Sequence, residues 1–375
     1  MNLLITILCL TLLLSIQTSS CRSCNFPAII NLGDSNSDTG GLSATFGPFP
    51  PPNGETFFHI PAGRVSDGRL IIDFIAESFG LPYLSAYLDS LGTNFSHGAN
   101  FATSGSTIMP QRTPLNQGGY SPFSLDVQFS QFSQFKSRSQ MISKRGGVFK
   151  SLMPMEDYFS KALYTFDIGQ NDLTLLYVAN ESADAYIPKA MEQFSTVVKG
   201  VYEKGGRYFW IHNTGPLGCL TYVLVRVLRS MPELDSIGCA VVFNELAQKF
   251  NRMLNQTVSQ LRKDLPFAAF TYVDVYSAKY SLFTQAEKYG FENPLRTCCG
   301  YGGGAYNFDQ NVRCGDKGNV GGVEVLLGKS CMNPQRAIIW DGVHYTEAAN
   351  KWVFNQIATG KFSDPPVPLS QACHC

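Results

Sequence analysis

The stretch Ala28–Gly41, AIINLGDSNSDTGG, decides how the chain is read. An apolar run suited to a buried strand meets Gly33-Asp34-Ser35, then Asn, Ser, Asp, Thr and two glycines. A tight turn explains such small residues. So does a nucleophilic serine raised at the end of a strand. Residues elsewhere separate the two.

The next question is what surrounds that stretch. "ALYTFDIG" (162–169), "RYFWIHNTG" (207–215) and "FAAFTYVDVY" (267–276) read as further short apolar strands. Between them, Leu70–Phe79, the series Ile187, Met191, Phe194, Val198, Val201 and the series Phe243, Leu246, Phe250, Leu254, Val258, Leu261 recur at helical spacing. A last helix through "EAANKWVFNQIA" has Thr346 as its cap. Strands alternating with helices predict a parallel sheet covered on both faces. Ligands of such sheets gather at the carboxyl ends of the strands, where Ser35 falls. The expectation is that the sheet edge presents Ser35 to solvent.

Bulk properties narrow the function. The chain has 375 residues, 44% of them hydrophobic, with 29 Lys+Arg against 29 Asp+Glu. That balance argues against nucleic acid as a partner, which requires a basic surplus. Leu3–Ile16 is apolar and is followed by small polar residues, so residues 1–20 read as a secretory signal, cut after Ser20. No later stretch is apolar enough to span a membrane. Residues 21–375 are taken as one domain, since no linker or repeat interrupts them.

Of 11 cysteines, Cys9 leaves with the signal, and the even remainder fits disulfides in an oxidising compartment. Cys219 and Cys239 would clip a loop; the other pairings stay open. Zinc at Cys21/Cys24 or Cys373/Cys375 is disfavoured, because neither pair has a partner at finger spacing. Asn94, Asn180 and Asn255 begin sequons, which would be glycosylation sites on a secreted chain.

A serine nucleophile needs a base. Five histidines exist. His374 is in the tail, His59 follows the Pro-rich loop Phe46–Glu55, His97 has no carboxylate near it in sequence, and His212 lies inside a strand as a core histidine would. His344 stands three residues after Asp341 in "WDGVHYTEAAN". A carboxylate on one ring nitrogen fixes the tautomer in which the other accepts a proton. Oxyanion donors could come from Gly98 or Gly105 in "GANFATSGST" and from Asn171 in "DIGQNDLT". No G-x-S-x-G elbow is present.

Gly33-Asp34-Ser35, Gly98-Ala-Asn100-Phe101-Ala102, Gly169-Gln-Asn171-Asp172 and Asp341-Gly-Val-His344 occur in that order. They resemble the four blocks of the GDSL esterase/lipase (SGNH hydrolase) family. "GRVSDGRLIIDFIAESFGLP" and "NTGPLGC" resemble its large secreted plant branch, with early-nodulin-like and acetylesterase-like members. Two positions depart from the usual pattern: the first block reads GDSN, and Tyr345 stands where many relatives have Pro.

The resemblance implies a flavodoxin-like three-layer α/β/α sandwich with a parallel central sheet. It implies Ser35 as nucleophile, His344 as base and then acid, and Asp341 as its orienting partner. The Ser35 N–H, the Gly105 N–H and the Asn171 side chain would form the oxyanion hole, with Gly98 as the alternative glycine. It implies a secreted serine esterase acting on carboxylic esters, acetyl or other short acyl groups on small molecules or wall polysaccharides of the apoplast. No cofactor or metal is implied. Two other readings compete. Some look-alikes are α-L-fucosidases, and Asp34, Asp38, Asp67, Asp172 and Asp341 could offer the two carboxylates a glycosidase needs. A binding or defence protein with a spent site is the other, disfavoured because no catalytic residue type is missing. The loops Phe46–Phe58 and Pro110–Phe123 are expected to shape specificity.

Overall fold

A computed structural model describes residues 23–111, 121–179, 181–227 and 233–373. The signal-like segment, Cys21, Asn180, His374, Cys375 and most of the Pro110–Phe123 loop lie outside the described residues.

The apolar run of the opening stretch forms β1 (Ile29–Gly33), buried along its whole length. The other expected strands form as β3 (Leu163–Asp167), β4 (Tyr208–His212) and β5 (Ala269–Val273). β5 ends earlier than the apolar run suggests, because Asp274 caps a following helix by accepting the Ser277 N–H. Two strands of the main sheet escape the sequence reading, as does a separate two-stranded hairpin. β2 (Gly98–Asn100) has only three residues and starts on a glycine, too short for any period to show. β8 (Ser363–Asp364) is a two-residue edge strand.

The sheet order is β2-β1-β3-β4-β5-β8. All pairs are parallel except β5–β8. The order 2-1-3-4-5 is the flavodoxin-like arrangement, whose switch point lies between β1 and β3.

One helical layer contains α3 (Leu125–Arg145), α5 (Ala183–Glu203) and α7 (Val241–Asp264), packed side by side. α3 was not foreseen: its mean character is polar, and it buries only a narrow line that includes Phe132 and Phe135. The opposite layer holds α2 (Ile71–Ser78), α8 (Val275–Thr284) and α9 (Glu347–Ile357). Thr346 caps α9 as expected, accepting the Ala349 N–H at 3.2 Å. The core between sheet and helices is aromatic. Tyr164, Phe209 and Phe270 stack across three strands at centroid distances of 5.6 and 4.6 Å. Phe166 meets Phe194 of α5 edge to face at 5.5 Å.

Four disulfides form among the described cysteines: Cys24–Cys373, Cys219–Cys239, Cys298–Cys331 and Cys299–Cys314. Cys219–Cys239 is the clip expected from sequence. The last two knot a glycine-rich segment that carries the hairpin β6 (Lys317–Val320) and β7 (Val323–Leu326). Among the described residues no helix is long and apolar enough to cross a membrane.

Candidate active site

β2, β1 and β3 are neighbours in the sheet, so the segments leaving their carboxyl ends meet. Those segments carry Gly105, Ser35 and Asn171 in that order across the sheet. Gly33 cannot carry a side chain: a Cβ there would lie 2.4 Å from the Ser37 hydroxyl and 2.6 Å from the Asp167 carbonyl. Its free backbone edge is matched by the amide of Gln128 on α3. Gly33 N–H donates to Gln128 Oε1 at 2.9 Å, and Gln128 Nε2 donates to Gly33 O at 2.8 Å. The polar Asn31 inside β1 has a similar task. Its Nδ2 donates to Ser37 Oγ at 3.0 Å and to Asn100 Oδ1 at 2.7 Å. Asn100 Nδ2 in turn donates to Ser37 O at 2.6 Å. The turn that carries Ser35 is thus braced from below by a buried, paired network.

Ser35 is only 4% exposed. This corrects the expectation of a serine presented to solvent at the sheet edge. The segment after β2 closes onto the strand end: Thr103 N–H reaches Gly33 O at 3.3 Å, and Ser104 N–H reaches Asp38 at 2.7 Å. Ser35 therefore occupies a recess.

Asp341 and His344 share one turn. His344 Nδ1 lies 2.7 Å from Asp341 Oδ2. Asp341 Oδ1 accepts the N–H groups of Val343 and His344 at 3.0 and 2.9 Å. Burial works to raise the Asp341 pKa, but the His344 ring and these N–H donors outweigh it and hold it below the ordinary carboxylate value. The other ring nitrogen, Nε2, is buried without a hydrogen-bond partner among the described residues. His344 lies within electrostatic reach of Asp34, the residue before Ser35, and favours its ionised form. Among the described residues, the Ser35 hydroxyl also has no partner.

The expected oxyanion donors are similarly uncommitted. The N–H groups of Ser35 and Gly105 find no acceptor among the described residues. Asn171 Nδ2 donates to Ser106 O at 2.9 Å, which uses one of its two hydrogens. Gly98 is different: it belongs to β2 and donates its N–H to Phe95 O at 3.0 Å.

The remaining candidates are engaged elsewhere. His212 is a satisfied core histidine, as expected. Trp210 Nε1 can only donate, so His212 Nε2 accepts at 3.0 Å, and Nδ1 carries the hydrogen facing Asp167 Oδ2 at 3.0 Å. His59 and His97 face the carbonyls of Glu55 and Pro27. Asp67 receives the Thr56 hydroxyl at 2.5 Å and the Glu347 N–H at 2.7 Å. Asn94 is exposed and Asn255 half-buried on α7.

Beneath Ser35 lies a charged cluster that the sequence did not announce. Burial, and next the nearby Asp167, push the Asp34 pKa up to about 7 against the hydrogen bonds of Asn36. Burial lowers the Lys279 pKa, opposed by Asp167 and Asp34. Gln128 and Lys279 sit on helices far from any motif, so no sequence signal marks them. Asp38 carries one faint signal, its place just before Gly40-Gly41 in the opening stretch.

An open, mostly parallel sheet, with a serine after its first strand and an Asp-x-x-His turn near its last helix, defines a hydrolase of the SGNH type. Residues 29–357 match the family described as GDSL-like lipase/acylhydrolase. The chain belongs to that family and is a carboxylic ester hydrolase. It is 59% identical over 355 residues to the GDSL esterase/lipase ACHE of Zea mays, covering 94% of this chain and 90% of the relative. It is 52% identical over 374 residues to the GDSL esterase/lipase ENOD8 of Medicago truncatula, covering 99% and 96%. A protein named alpha-L-fucosidase 3 from Arabidopsis thaliana is 56% identical over 368 residues, covering 97% and 96%.

Proposed function

We propose that this chain is a secreted serine esterase that removes short acyl groups, acetyl above all, through an acyl-enzyme on Ser35. The observation that carries this is the Asp341–His344 pair, whose Nε2 is buried and has no partner among the described residues, within electrostatic reach of Asp34 next to Ser35. In this reading Ser35 Oγ attacks the ester carbonyl carbon and His344 Nε2 takes its proton. The oxyanion is met by the N–H groups of Ser35 and Gly105 and by the second hydrogen of Asn171 Nδ2. The C–O bond to the alcohol breaks as His344 returns the proton to the leaving oxygen. Water, deprotonated by the same nitrogen, then releases the acid and restores Ser35. Ser35 is enclosed, and a short acyl group asks for the least room.

The commitments of the other carboxylates favour esters over glycosides. Asp38, Asp67 and Asp172 are each held by several donors, and Asp341 faces His344. A pair of carboxylates flanking one glycosidic bond is then hard to assemble. The four disulfides among the described residues support a site of action outside the cell, with residues 1–20 as the signal, 21–375 as the single mature domain, and Asn94, Asn180 and Asn255 as glycan acceptors.

The test compares the protein with its Ser35→Ala variant on p-nitrophenyl acetate, p-nitrophenyl palmitate and p-nitrophenyl α-L-fucoside. Acetate turnover exceeding palmitate turnover and lost in the variant is expected. Fucoside turnover that survives the substitution would overturn the assignment and direct attention to the aspartates.

A further inference from the structure

The segment 103–109 supplies Gly105 yet belongs to no strand or helix. Gly105 itself has φ +83°, so the chain turns there in a way that side chains disfavour. Such a segment aims a backbone N–H accurately only if something fixes it at both ends.

Two wholly buried carboxylates do so. On one side, Asp38 Oδ1 accepts the N–H groups of Gly40 and Gly41 at 2.8 and 2.6 Å. Its Oδ2 accepts Leu42 N–H at 3.1 Å, Ser104 N–H at 2.7 Å and the Ser104 hydroxyl at 2.8 Å. On the other side, both oxygens of Asp172 receive Ile108 N–H, at 3.0 and 2.9 Å, and Oδ1 receives the Tyr186 hydroxyl at 2.7 Å. Between these anchors, Ser106 O takes the Asn171 amide at 2.9 Å.

The two carboxylates also sit at informative places in the chain. Asp38 closes the turn that begins with Ser35, and Asp172 follows Asn171. Each therefore ties the Gly105 segment to the segment of another oxyanion donor. An ionised carboxylate accepts on both oxygens and sets no hydrogen of its own against these donors, and short N–H···O⁻ bonds are the strong ones.

We propose that Asp38 and Asp172 are positioning residues for the oxyanion site, holding the N–H groups of Ser35 and Gly105 and the Asn171 amide in one fixed arrangement. This rests on the reading of those three groups as the oxyanion donors. Neither carboxylate is assigned contact with substrate. Their effect falls on the tetrahedral state, whose oxygen the donors meet, and little on ground-state binding.

The experiment uses Asp38→Asn, Asp172→Asn and the milder Ser104→Ala, which deletes one of Asp38's bonds and leaves the carboxylate. In the two Asn variants an NH₂ group faces N–H donors, so the local clamp is reversed. Each folded variant is assayed on p-nitrophenyl acetate, and the Ki of phenylboronic acid, which forms a tetrahedral adduct on a nucleophilic serine, is measured alongside. The expected result is kcat lower by roughly tenfold to a hundredfold in the Asn variants and severalfold in Ser104→Ala, KM within about twofold, and boronate Ki rising in step with the fall in kcat/KM. Asp172→Asn placed on Asn171→Ala should cost less than the two single losses combined, because the part of its effect that passes through the amide is already gone while the part that passes through Gly105 remains.

A general structural role would instead give additive losses, or a lower melting temperature with kcat and Ki unchanged in the folded fraction; either overturns the proposal. Ser104→Ala preserves the test if both Asn variants fail to fold. Wild-type kcat and Ki in Ser104→Ala would then overturn the Asp38 arm and leave no support for the pair. Loss of turnover in Ser35→Ala separates the two levels. If that variant stays active, the oxyanion reading and this proposal fall together; if it is dead while the clamp variants behave as wild type, only the clamp falls.

Discussion

His344 Nδ1 lies 2.7 Å from Asp341 Oδ2 within a single turn, and Trp340 on that turn's other side takes the backbone back toward His344 through a 2.7 Å N–H···O=C bond. The pair is therefore prealigned by local chain geometry, with Nε2 left without a partner among the described residues. His344→Ala should remove the proposed base and lower kcat by about 10²- to 10⁴-fold on p-nitrophenyl acetate. Asp341→Asn should fall in the same range, since the ring loses both its orienting acceptor and the charge that stabilises imidazolium. Steady-state kinetics would check this, and a folded His344→Ala protein with wild-type kcat would remove His344 from the mechanism.

The amide of Asn171 is half used, by Ser106 O at 2.9 Å. Asn171→Ala should leave KM near its original value and reduce kcat by about 10²- to 10³-fold, the effect of losing one oxyanion donor. Asn171→Asp should be worse, because it sets a negative charge where negative charge develops. Equal kcat for Asn171→Ala and the parent would assign the amide to loop bracing alone.

Much of this site is legible in the sequence because it is local. Asp341 and His344 are three residues apart, Thr346 caps the helix they precede, and the Ser35 turn is written in small residues after an apolar run. The helices declare themselves wherever a broad apolar stripe exists, as in α5 and α7. What escapes is of another kind. β2 is three residues long, and its place beside β1 is set by pairing with residues far off in sequence. α3 buries a thin line of side chains, so its period is faint, yet its Gln128 completes the backbone of Gly33. The enclosure of Ser35 and the partners of Asp38 and Asp172 depend on how three strand ends converge, which no single window contains.

The buried Asp34 gives a test of stability against pH. Its pKa is raised from an ordinary 3.8 to about 7, chiefly by burial. The folded protein thus holds a proton that the unfolded chain releases between those values. The contribution is fully present below pH 3.8 and is lost as pH rises through about 7. Asp34→Asn keeps an acceptor for the Asn36 N–H and has no proton to lose. Melting temperatures of the two proteins should therefore diverge in favour of the variant as pH goes from 5 to 8. A pH-independent difference would mean that Asp34 is ionised throughout, held so by Lys279.

The cysteine-rich segment reaches the Asp341–His344 turn through the backbone. Cys298 and Cys299 donate N–H groups to Ile339 O and Trp340 O at 2.9 and 2.6 Å, immediately before Asp341, and Trp340 packs against the buried half-cystines. Cys299–Cys314 closes a loop across a separation of 15 residues, for which chain entropy gives roughly 3 kcal/mol of stabilisation. Replacing both residues with serine should lower the melting temperature by several degrees. Because the released segment is the one that backs Asp341 and His344, activity should be lost on heating before the bulk of the secondary structure melts. In the parent the two transitions should coincide. Parallel loss of turnover and far-ultraviolet signal in the double-serine variant would show that the Asp341–His344 turn is held by the sheet and α9 alone, without the disulfide-bonded segment.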